Sequence, residues 1–73
     1  MTSAPVCYEI LLAEELDPRW RGWFLGLEVV PAIERPGTLL RGRLPDQAAL
    51  FGLLARVRDL GLTLVEMRSE AER

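Results

Sequence analysis

A small α+β domain is the fold class this sequence predicts, and three observations carry it. Residues 44–67 read as one helix running directly into one strand. Pro31 sits inside a strand-like run, which suits a sheet edge. Pro36-Gly37 makes a turn between two such runs. A chain of 73 residues has room for a single domain, 1–73, with residues 1–5 and 69–73 expected to fray.

The elements follow in order. Val6 to Glu14 alternates Tyr8, Ile10 and Leu12 against Cys7, Glu9 and Leu11, the period of a strand, β1. Asp17-Pro18 then starts a short helix over 18–24. Asp caps free N–H groups, Pro favours the first helical position, and Gly22 and Gly26 keep the helix short. Leu27 to Ile33 is β2, placed at an edge because Pro31 cannot donate a ladder hydrogen bond. Glu34-Arg35-Pro36-Gly37 turns the chain, and Thr38 to Leu44 returns as β3, antiparallel to β2. A long helix is expected over 47–60 with Asp46 as its N-cap. Leu50, Leu53, Leu54, Val57 and Leu60 form one buried face, and Gly61 suits a left-handed C-terminal cap. Leu62 to Met67 is β4, followed by a charged tail. The order β-α-β-β-α-β is that of a ferredoxin-like sandwich. It predicts four antiparallel strands in the order 4-1-3-2, with two helices on one face.

Composition narrows the function classes. A domain this small buries only about 60% of the surface its unfolded chain exposes. Small domains often add disulfides, metals or oligomerisation. Cys7 is the single cysteine, so no internal disulfide forms, and a zinc site of about four Cys/His ligands cannot be assembled without histidine. No metal or cofactor is expected, and self-association is the remaining device. The net charge of −2 gives no general attraction to nucleic acid. All nine basic residues are Arg and Asn is absent, a bias that points to a GC-rich bacterial source. The apolar runs are far too short to span a membrane. Residues 1–5 lack the basic start and apolar stretch of a secretory signal, so a cytoplasmic location and a reduced thiol are expected.

Four constellations compete with plainer readings. Trp20, Trp23 and Phe24 lie at helical spacing on one face, either as an aromatic patch for a ligand or, as such stripes usually are, as core. Ala48, Gly52, Ala55 and Asp59 share the back of the long helix, flanked by Phe51 near Arg58. Small residues there admit a second helix, or they are simply solvated. An off-stripe Phe beside a mid-helix Gly breaks two local rules together. Both alternating sets of β1 and β4 hold apolar residues, including Leu11, Val65 and Met67, and strands apolar on both sides are normally covered on both. Sheet-face or edge dimerisation would cover them. Arg41 and Arg43 on β3, with Arg56 and Arg58 on the helix, could bind an anion. Pairing with Glu9, Glu28 or Glu66 across strands is the simpler reading.

Catalysis has little support. There is no His for an imidazole base and no Lys for a Schiff base. Cys7 reads as a small core residue. Glu14, Glu15 and Asp17 read as favouring the dipole of the short helix rather than as an acid pair.

The stretches DPRWRGWFLGLEV and GTLLRGRLPDQAALFGLLARVRDLGLTLVE together resemble a family of small uncharacterised bacterial proteins. The shared pattern is W-x-x-W-F-x-G-L followed by D-Q-A-A-L-x-G-L-L-x-R-x-R-D-L-G-L, spanning residues 17–66. Members often carry His where this chain has Phe51, a departure that argues against a shared His-dependent activity. The resemblance implies bacterial origin and supplies no function. The topology is also similar to ACT-type regulatory domains at the level of fold alone. The expected function is therefore a non-enzymatic, self-associating interaction or regulatory module, a homodimer or other homo-oligomer with a possible protein partner. The alternative is a small-molecule sensor that binds a metabolite at a subunit interface near Trp20 and Trp23.

Overall fold

The structure, a computed structural model, describes residues 6–71. Its elements are β1 (Val6–Leu12), a 3₁₀ helix (Pro18–Phe24), β2 (Glu28–Pro31), β3 (Thr38–Leu44), α1 (Gln47–Asp59) and β4 (Leu64–Ala71). The strands form one antiparallel sheet in the order β2-β3-β1-β4. β1 and β3 lie at the centre, and β2, with its Pro31, lies at an edge.

Alternation on the central strands divides the sheet into two faces. Tyr8, Ile10 and Leu12 of β1, Leu40 and Leu44 of β3 and Val29 of β2 point to the helix side and are buried. Phe24 and Leu27 close one end of that layer, and Leu50, Leu53 and Val57 of α1 cover the rest. Each such side chain contributes roughly 1.5–3 kcal/mol on burial. α1 begins where Asp46 accepts a 2.8 Å hydrogen bond from Ala49 N, and Gly61 follows its end at φ +72°. That cap is worth about 0.5–2 kcal/mol. Leu54 and Leu60 sit half-buried at the flanks of the predicted stripe.

The β2–β3 turn needs its glycine. Gly37 has φ +129°, and a Cβ there would run into the backbone oxygen of Leu12. Thr38 beside it is the one buried polar side chain among the described residues. Its hydroxyl donates to Glu14 O at 2.7 Å and accepts from Leu16 N at 2.8 Å. This fixes the chain leaving β1 against the start of β3.

Several expectations are corrected. β1 stops at Leu12 rather than Glu14, because the ladder shifts register between Leu11 and Leu12 and the chain bends. The first helix is 3₁₀ rather than α. β2 is shorter than predicted. β4 begins later and runs through residues 69–71, which were expected to fray. The backbone of β1 back to Val6 offers hydrogen-bonding partners, and an edge strand can use them with polar residues. Residues 1–5 and 72–73 lie outside the described residues. Cys7 is half-buried on the face away from the helices, not in the core.

Candidate interaction surfaces

The face of the sheet away from the helices carries both a charged row and the apolar residues expected of a strand with two apolar sides. In register across all four strands stand Glu28, Arg41, Glu9 and Arg68, with signs alternating. Arg41 Nε donates to Glu28 Oε1 at 2.9 Å, and Arg68 pairs with Glu66 at 3.1 Å. The next row holds Val30, Leu39 and Leu11, all half-buried, and ends in Glu66. Around the charged row the sheet curves into a concavity of about 580 Å³, which Cys7 and Gly42 also line. A row of opposite charges directly across strands stabilises the sheet by itself. Arg43 lies one row further, opposite Cys7.

Exposed apolar side chains lie beside this face and away from it: Ile33, the most exposed at 75%, lines a hollow with Leu11 and Leu39, and Leu25 follows the 3₁₀ helix. Leu64, Val65 and Met67 of β4 are 45%, 41% and 41% exposed. The helix α1 packs towards β3 and the 3₁₀ helix, so β4 keeps these side chains in contact with water. On the back of α1, Phe51 is 62% exposed, with Ala48, Gly52, Arg58 and Asp59 also in solvent and Ala55 half-buried. Arg58 is held by Asp59 at 3.0 Å. A Cβ added at Gly52 would meet nothing within 4 Å, so no contact within the chain requires that glycine.

The three aromatics of the first helix part company. In a 3₁₀ helix, residues three apart eclipse. Trp20 and Trp23 therefore lie on one side in a tilted contact, with ring centroids 6.0 Å apart and planes at 46°, while Phe24 turns into the core. Trp20 is half-buried against the core and Trp23 is 52% exposed. With Asp17 and Arg19 they line a shallow groove of about 280 Å³. Asp17 caps the helix by accepting from Arg19 N at 2.9 Å, and its other oxygen takes the Arg19 guanidinium at 3.1 Å. The backbone bond first, and the side-chain bond second, lower the Asp17 pKa. The hydrogen bond to Asp17 raises that of Arg19.

Sequence reasoning missed the role of Glu14. Its carboxylate does not serve the short helix. It accepts from Thr63 N and Thr63 Oγ1, both at 2.8 Å, and so ties the end of β1 to the start of β4. Those bonds lower its pKa, the backbone one most. No local pattern marks Glu14, because its partner lies 49 positions away. Among the described residues no group of three or more His, Cys, Asp or Glu side chains is placed to hold a metal ion, and no helix is long and apolar enough to cross a membrane.

A protein-family model described as "Domain of unknown function (DUF8691)" matches residues 7–68. No curated protein and no solved structure matches the chain.

Proposed function

We propose that this chain, which belongs to the DUF8691 family of domains of unknown function, is a non-enzymatic, self-associating interaction or regulatory module. The observation that carries the reading is the set of large apolar side chains left in water by so small a core: Leu64, Val65 and Met67 on β4 and Phe51 on α1, with Ile33, Trp23 and Leu25 besides. A domain of this size gains most from covering them with a second copy. We take its arrangement as ferredoxin-like, its source as bacterial and its location as cytoplasmic, on the strand order and the composition. Light scattering over a hundredfold concentration range should give the mass of a dimer, and a constant monomer mass would remove the reading.

One observation favours a second reading, a sensor that binds a small molecule at a subunit interface. The Trp20–Trp23 pair presents one exposed ring beside the Asp17–Arg19 ion pair, an apolar platform next to polar anchors. A metabolite bound there should shift tryptophan fluorescence and raise the melting temperature. Unchanged fluorescence and melting across a metabolite library would count against it.

A further inference from the structure

We infer, resting on the self-association proposed above, that a second copy of the chain docks edge to edge on β4, antiparallel and centred on Met67. Three observations carry this.

The first is the edge itself. Among the described residues, the backbone of β4 pairs with β1 on one side and with no strand on the other. Its outward N–H and C=O groups form a template for another strand. Proline commonly blunts such an edge, and Leu64–Ala71 contains none; its one bulge lies at Val65, so the strand runs regularly from Glu66 onward.

The second is the apolar surface beside that edge. Leu64, Val65 and Met67 are exposed where α1 does not cover them. In the register centred on Met67, a neighbouring β4 sets Met67 against its own counterpart, Val65 against Ser69 and Leu64 against Glu70. The sheet face away from the helices is the weaker candidate, because burying the Glu28, Arg41, Glu9 and Arg68 row would strip four charges of water. Edge pairing leaves that row solvated.

The third is charge, which selects the register. A two-fold axis perpendicular to the sheet keeps both helix layers on the same side. Residues opposite each other then share a face, so each allowed register is centred on one residue. Centring on Met67 sets Glu66 of each copy opposite Arg68 of the other, and Met67 opposite Met67. Centring on Glu66 or on Arg68 sets like charges opposite each other. Centring on Val65 overlaps only residues 64–66 of the strand and pairs no opposite charges. Centring on Ser69 overlaps only residues 67–71 and leaves Leu64 and Val65 uncovered.

The opposite edge closes the assembly. β2 is only Glu28–Pro31, and Pro31 has no N–H to donate. Head-to-tail pairing of β2 with β4 is therefore disfavoured, and addition stops at two copies.

The test is cross-linking together with charge exchange. In a Cys7→Ser background, Met67→Cys places two thiols across the axis at about 4.5–5.5 Å between Cα atoms, within disulfide reach. Mild oxidation should give a covalent dimer for Met67→Cys and little for Phe51→Cys. With Cys7 intact, Arg68→Glu should weaken the dimer about tenfold by light scattering. Adding Glu66→Arg to it should restore the affinity. A dimer that cross-links through Phe51→Cys and not Met67→Cys would overturn the edge geometry and leave self-association standing. Preferred cross-linking of Ser69→Cys would overturn the register. A monomer at every concentration would overturn both the inference and the reading beneath it.

Discussion

Glu14 joins two ends of the sheet that are far apart in sequence. Both of its hydrogen bonds come from Thr63 and favour the ionised carboxylate, so its folded pKa lies below the ordinary 4.5. A group depressed on folding contributes fully above its unfolded pKa and loses that contribution as pH falls through the folded value. Glu14→Gln is therefore expected to melt below the native chain at neutral pH. The gap should narrow as pH falls below 4.5. Thermal melts of both proteins from pH 7 downward check this, and a gap constant with pH would refute it. Thr38 works at the same scale, since its hydroxyl satisfies a donor and an acceptor of the chain leaving β1. Neither role is legible in the sequence. A Thr opening a strand and a Glu before a helix look ordinary until the fold brings residues 14, 38 and 63 together.

Elements with local stop and start signals were the readable ones. Asp17-Pro18 and Asp46 cap the helices they were expected to cap, and Gly61 takes the left-handed conformation after α1. Where the decisive partner is another strand, the signal fades. β4 runs on through polar residues because β1 supplies its hydrogen bonds, and the charged row on the open face exists only once the register is known. The first helix shows a third limit, since i, i+3, i+4 spacing puts three rings on one face only if the helix is α. As 3₁₀ it sends Phe24 inward and leaves Trp23 in solvent. Gly52 permits a clean experiment on α1. Nothing within the chain needs its missing side chain, so Gly52→Ala should stabilise the fold by about 0.5–1 kcal/mol. For a domain this size that is a rise of roughly 2–8 °C in melting temperature. With association through β4, light scattering should show an unchanged dimer for Gly52→Ala and also for Gly52→Leu. Loss of the dimer in Gly52→Leu would move the contact to the back of α1.

Taken whole, the molecule is a sheet with two unlike edges, β2 short and carrying Pro31 and β4 longer and without proline, and the proposed association through β4 makes its stability depend on how much protein is present. A dimer that folds as it assembles melts at a temperature that climbs with concentration. The same melts carry a further source of detail. Both tryptophans of the chain sit in the 3₁₀ helix, so every photon of indole emission comes from that one segment. Far-ultraviolet circular dichroism reads the sheet and α1 instead. The protein thus contains two separate optical channels without any label. Superposed unfolding curves would establish a single cooperative transition, and an early change in emission would time the loosening of the first helix apart from the rest.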